Sequence, residues 1–172
     1  MSETATPLPE ISRCSGPDGL ALACRHAEGD GPLIVFLPGY MSDMAGSKAE
    51  AVLQWAADHG RACLLLDYSG CGKSAGRFAD GTLSRWRDEV LHLIEQHGAG
   101  TPDRPVLLIG SSMGGWLMLL VARELAATHG DASVAGMIGI AAAPDFTSWG
   151  YDEQQRRVLA SGKVLYEDNP YG

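Results

Sequence analysis

Four short runs of unbroken apolar residues, at 32–37, 62–66, 105–109 and 134–141, set the limits on how this chain can fold. A strand that alternates apolar and polar residues has one face in water, whereas the run at 32–37, without that alternation, is expected to be covered on both faces and to lie in the middle of a sheet. Between these runs lie segments of helical character. Residues 47–59 read as a helix closed by Gly60, and Thr82 caps a second helix whose apolar residues Leu83, Trp86, Val90, Leu93 and Ile94 recur at helical spacing. A third helix spans 114–128 and is apolar nearly all round at 116–121, which predicts deep burial. At the start, residues 11–14 and 20–25 flank the turn tetrad Gly16-Pro17-Asp18-Gly19 and predict a β-hairpin. Strand and helix then alternate. The expected class is α/β: a mostly parallel sheet of about six strands with an antiparallel N-terminal hairpin, helices on both faces, and ligands at the carboxyl ends of the strands.

The chain has 172 residues, enough for one well-cored domain, and its composition of 45% hydrophobic and 20% charged residues is that of a globular protein. Its net charge of -8 argues against a nucleic-acid partner, because phosphate backbones are held by clustered Lys and Arg. No basic n-region opens the chain and no run of eighteen apolar residues interrupts it, so no signal peptide and no membrane span are expected, and the default location is cytoplasmic. Cys14, Cys24, Cys63 and Cys71 show neither metal-ligand nor CxxC spacing and read as reduced thiols. Neither metal nor cofactor is expected.

The segment Val106-Leu107-Leu108-Ile109-Gly110-Ser111-Ser112-Met113-Gly114-Gly115-Trp116 places a G-x-S-x-G between an apolar strand and an apolar helix. That context marks a nucleophile elbow: the chain reverses sharply, small residues flank the serine, and the Ser112 hydroxyl stands above the strand ends. Developing negative charge there is favoured by the helix N-terminus. After the run at 32–37 comes Pro38-Gly39-Tyr40-Met41, where a backbone N–H from Tyr40 or Met41 can join that of Met113 in an oxyanion hole. Tyr40, Met41 and Met113 also suggest an apolar lining for the substrate, with Met41 assigned to it. The loop from Asp67 to Gly76 is rich in glycine, yet a phosphate-binding P-loop requires glycine where Asp67 stands, so its expected role is structural. A thiol nucleophile at Cys71 finds no histidine with a reason to lie beside it.

Serine acyl transfer needs a base. On an elbow of this kind the acid and the histidine follow the serine in sequence, and only His129 follows Ser112. It ends the helix that starts beside the serine, about 24 Å away at 1.5 Å per residue. His26, His59, His92 and His97 are assigned to surfaces and packing. Asp145 occupies a position suited either to a catalytic acid or to a helix cap or turn, and Asp152 and Asp168 are weaker candidates in the tail.

Together, Pro38-Gly39-Tyr40-Met41-Ser42, Asp67-Tyr68-Ser69-Gly70, Trp86-Arg87-Asp88 and Gly110-Ser111-Ser112-Met113-Gly114-Gly115-Trp116 resemble the α/β-hydrolases related to the mitochondrial acyl-glucuronide esterase and palmitoyl-protein thioesterase. The resemblance implies an α/β-hydrolase fold, Ser112 as nucleophile, the Tyr40 region and Met113 as oxyanion hole, and hydrolysis of a small-molecule acyl ester or thioester through an acyl-enzyme. Members of the group continue with a cap, further strands, an acid loop and a histidine loop. By that comparison residues 1–145 form an incomplete core lacking the last strands, residues 146–172 start a cap or tail, and turnover is impaired. The alternative is a non-catalytic binding module, with the strand at 134–141 as an open apolar edge that invites homo-oligomerisation.

Overall fold

A computed structural model of the protein describes residues 6–149, 151–163 and 165. Asp168 and the aperiodic tail around it lie outside the described residues. In chain order the elements are β1 (Ser12–Ser15), β2 (Ala21–Ala27), β3 (Asp30–Leu37), α1 (Ser47–Asp58), β4 (Arg61–Leu66), α2 (Leu83–Gln96), β5 (Val106–Ser111), α3 (Met113–His129), β6 (Val134–Ile140) and α4 (Glu153–Ala160). The strands form one sheet in the order β1-β2-β4-β3-β5-β6. β1, β2 and β4 pair antiparallel, while β4, β3, β5 and β6 run parallel.

Alternation along β3 divides the core into two layers. Leu33, Val35 and Leu37 face α2 and α3, and Ile34 and Phe36 face α1. All five are buried, each contributing roughly 1.5–3 kcal/mol relative to an exposed side chain. The apolar run at 32–37 thus follows from cover on both faces. Helix boundaries have local causes as well. The Thr82 side chain accepts a hydrogen bond from the Arg85 N–H at 3.1 Å, a cap worth about 1 kcal/mol, and Gly60 takes the left-handed conformation, φ +59°, that lets the chain leave α1 for β4.

The expected deep burial of residues 116–121 needs correction. α3 buries Leu117, Met118 and Val121 against the sheet and α2, whereas Leu119 is 42% exposed and Trp116 is half-buried. The helix is covered on one side only. β6 is the sheet edge among the described residues, with Met137 and Ile138 about half exposed. No described helix is long and apolar enough to cross a membrane.

Candidate active site

Backbone strain gathers at the carboxyl ends of the parallel strands. Among the described residues the non-glycine positions with positive φ are Met41 after β3, Ser112 after β5, and Ala141 and Asp145 after β6. Each such conformation costs an L-residue of order 1–3 kcal/mol, so the surrounding structure must hold it in place. At Ser112, φ 52° and ψ -120° place the residue between the last β5 residue and the first turn of α3. Its N–H donates to the Ile140 carbonyl at 3.0 Å, and its carbonyl accepts from Gly115 at 2.9 Å and from Ala143 at 3.0 Å. The end of β6 therefore clamps this turn.

The turn also depends on missing side chains. A Cβ on Gly110 would overlap the Gly114 carbonyl, one on Gly114 would overlap the Leu37 and Pro38 carbonyls, and one on Gly115 would overlap Ala142. The hydroxyl-bearing Ser112 is exposed, and its side chain does not cap the helix below it. Tight backbone packing leaves this side chain projecting from the strand ends.

Gly39 lies directly beside it, since a Cβ there would stand 3.2 Å from the Ser112 Cβ. A turn closed by Ser42 N–H donating to the Gly39 carbonyl at 3.1 Å carries Tyr40 and Met41 past the serine. No hydrogen bond among the described residues occupies the Tyr40 N–H. Met113 is buried at the start of α3. Met41 is 52% exposed and lines a cleft of about 170 Å³ together with Asp43, Cys71 and Phe78.

Beyond the residues singled out from sequence, the fold adds an aromatic arc. The Tyr40 ring meets Phe78 edge-on at 5.2 Å and Phe146 at 6.4 Å, and Phe146 meets Trp116 at 5.7 Å. The arc runs from the Tyr40 turn to the first turn of α3. No sequence periodicity signals it, because Phe78 and Phe146 start isolated single-turn helices in loops.

The Asp67 loop is structural in a specific sense. The Asp67 carboxylate is buried and accepts N–H bonds from Met44 at 2.7 Å and Lys73 at 2.8 Å, tying the loops after β3 and β4 together. Burial pushes the carboxyl above its usual range, against the pull of those two N–H groups. Glu89 was also missed from sequence. It is buried, accepts from the Ser69 N–H at 2.9 Å and pairs with Arg85. Its signal was an acid on the apolar stripe of α2, three residues after Trp86 and one before Val90. Burial pushes the Cys71 thiol up to about 11, which keeps it protonated and unsuited to nucleophilic attack.

None of the five histidines reaches Ser112. His129 ends α3, about 24 Å along the helix axis. His59 and His97 close the far ends of α1 and α2, and His26 packs on His97 with ring centroids 4.4 Å apart. His92 bonds the Ser15 carbonyl on β1, four strands from β5 and so roughly 19 Å away across the sheet. Asp145 is exposed in a left-handed turn before residue 146, and its side chain caps no helix N–H. Among the described residues no group of three His, Cys, Asp or Glu could hold a metal ion. A cavity of about 620 Å³ between α2 and α3 is lined by Leu91, Glu95, Glu124 and His129 and lies away from the serine.

Comparison with known proteins gives this geometry a family. Residues 34–169 match the profile of the Alpha/beta hydrolase family. Human palmitoyl-protein thioesterase ABHD10, mitochondrial, is 41% identical over 135 residues, covering 78% of this chain and 41% of the relative. The chain thus spans about two fifths of the length of the curated relatives it matches. A crystal structure from Agrobacterium vitis S4 with a provisional hydrolase designation superposes with a TM-score of 0.81 at 35% identity, over 96% of this chain and 66% of that one. Mouse alpha/beta hydrolase domain-containing protein 10 gives 0.76 at 34% identity, over 92% and 61%. These names overturn the cytoplasmic expectation, since the mammalian relatives are designated mitochondrial. A leaderless appearance and the lack of a long apolar run were too weak a basis for a compartment. With the family profile matching most of the chain and the strand order, strained serine turn and superpositions in agreement, the chain belongs to the alpha/beta hydrolase family.

Proposed function

We propose that this chain carries the nucleophile half of a serine hydrolase acting on carboxylic esters or thioesters, with Ser112 as the acyl-accepting residue. The observation that carries the reading is the strained Ser112 backbone, clamped by Ile140, Gly115 and Ala143 so that an exposed hydroxyl stands beside the Gly39 turn. In this mechanism Ser112 Oγ attacks the acyl carbon, the alcohol or thiol departs, and water then releases the acid from the acyl-enzyme. The Tyr40 and Met113 N–H groups stabilise the oxyanion, and Met41 and the aromatic arc line an apolar acyl site. Thioesters are included because the relatives are named as thioesterases. We assign residues 1–145 to an incomplete hydrolase core and 146–172 to the start of a cap or tail, and we give Asp145 the turn role.

No histidine of this chain is placed to act as base, so the 172 residues alone should turn over slowly, retaining mainly oxyanion-hole and binding effects. The test is labelling with a fluorophosphonate beside a Ser112→Ala control, on this chain and on a version extended along the relatives' length. Faint labelling here, none in the control and strong labelling in the extended protein is the expected pattern. Equal labelling of the native chain and the control would remove Ser112 from the mechanism. The exposed β6 edge, with Met137 and Ile138 half exposed, supports a second reading in which the same fold serves as a binding module that self-associates. A monomer by gel filtration at high concentration counts against it.

A further inference from the structure

We propose that Tyr68 is a positioning residue for the oxyanion loop: its buried hydroxyl holds the Pro38 carbonyl and thereby sets the direction of the Gly39 and Tyr40 N–H groups beside Ser112. The proposal rests on the assignment of Ser112 and Tyr40 made above. Tyr68 is fully buried, and its hydroxyl donates to the Pro38 carbonyl at 3.1 Å. A buried phenol requires a partner. Here the partner is a carbonyl two residues before Tyr40, on a different strand's loop.

The geometry makes that bond consequential. The Pro38 carbonyl and the Gly39 N–H belong to one planar peptide unit, and no described peptide is cis, so holding the oxygen fixes the N–H on the opposite side. The next unit, which carries the Tyr40 N–H, is held through its Gly39 carbonyl by the Ser42 N–H. That second restraint is internal to the loop and moves with it, whereas Tyr68 ties the loop to the core. The phenol ring cannot drift. It stacks on Trp86 with centroids 5.4 Å apart; Trp86 Nε1–H donates to the Ser69 carbonyl at 3.1 Å, and the Ser69 N–H donates to Glu89. The line of restraint therefore runs from α2 through Trp86 and Tyr68 to Pro38. The start of α3 closes the remaining side, since a Cβ on Gly114 would overlap the Pro38 carbonyl.

Tyr68→Phe in the full 172-residue chain removes the hydroxyl and keeps the ring. In ¹H–¹⁵N spectra the Gly39 and Tyr40 amide signals should shift and broaden while the Trp86 indole signal stays in place. Phenylboronic acid forms a tetrahedral anionic adduct in which a boron–oxygen bond replaces the Ser112 O–H bond, the proton passes to solvent, and a boron-bound oxygen faces the oxyanion site. It should bind about tenfold more weakly to the variant, a smaller loss than deleting a donor outright. A purely structural role would lower the melting temperature and move neither readout. Unmoved Gly39 and Tyr40 amides overturn the proposal, as does unchanged affinity for the boronic acid. If the native chain and Ser112→Ala bind the boronic acid equally, it is the Ser112 assignment that fails, and the amide signals still decide Tyr68. Should the variant not fold, the native chain serves: a slowly exchanging Tyr68 hydroxyl proton with a coupling to the Pro38 carbonyl carbon supports the proposal, and its absence overturns it.

Discussion

After β5 the chain turns by dispensing with side chains, whereas after β4 it turns by burying polar ones. At the first turn Gly110, Gly114 and Gly115 bring backbone against backbone and leave Ser112 strained and exposed. At the second, Asp67, Tyr68 and Ser69 are buried and each is bonded to another element: Asp67 to Met44, Tyr68 to Pro38, and Ser69 to Glu89. Only β3 separates them in the sheet. The difference is a division of labour in which one turn presents an exposed serine at a conformational cost and the other ties the neighbouring loop to the core. It also makes opposite demands on substitution, since the first turn tolerates no added atoms and the second tolerates no lost polar ones.

The largest expected effect tests the bare turn. Gly114→Ala adds one methyl group where the Leu37 and Pro38 carbonyls already lie. In an unconstrained helix the change would gain up to about 1 kcal/mol of propensity, but here overpacking against backbone should cost about 3 kcal/mol net. Urea unfolding measures it. A neutral or stabilising outcome would mean that the β3–α3 contact is looser than its geometry and that the turn is not held by close approach.

That contrast also marks what the sequence revealed. Gly110, Ser112 and Gly114 were legible because steric exclusion selects residue types at fixed spacing, and the strands β3 to β5 were legible because burial on both faces removes polar residues from them, whereas β6 kept its apolar run at an uncovered sheet edge. Tyr68 and Glu89 were not assigned, since their roles are bonds to Pro38 and Ser69, at separations of 30 and 20 residues, that no local pattern encodes. The apolar run at 116–121 misled for a related reason. Residue type records what a side chain prefers, and Leu119 on the open side of α3 is as apolar as Leu117 beneath it.

An intermediate effect tests the polar turn. Asp67→Asn keeps the shape but presents an amide where two N–H groups point, so about 2 kcal/mol should be lost at neutral pH through the poorly satisfied donor. The pH dependence sharpens it. Burial raises the Asp67 carboxyl in the folded state above its unfolded value of 3.8, so the native chain is favoured below that value and loses this contribution as pH rises through the folded value. Asparagine has no such titration. The gap between native and variant should therefore narrow from pH 4 to pH 7 in matched urea series. A gap that widens instead would mean that the two N–H bonds outweigh burial and that the polar turn stabilises its own charge.

The smallest effect has the opposite sign. Ser112 at φ 52° and ψ -120° mirrors an extended conformation open to every L-residue, and glycine alone adopts both forms freely. Ser112→Gly should relieve strain of order 1–3 kcal/mol and forfeit up to about 1 kcal/mol through the greater freedom of the unfolded chain, a net gain of about 1 kcal/mol. Ser112→Ala keeps the Cβ and should leave stability near the native value. The urea midpoint should thus rise only for glycine, although both variants lose the hydroxyl. If glycine lowers the midpoint as it does at ordinary exposed positions, the turn is relaxed and strain is no part of how this serine is presented. A rise confined to glycine would show stability given up at the residue proposed above as the nucleophile, and the Ile140, Gly115 and Ala143 bonds would be the restraints that make the sacrifice tolerable.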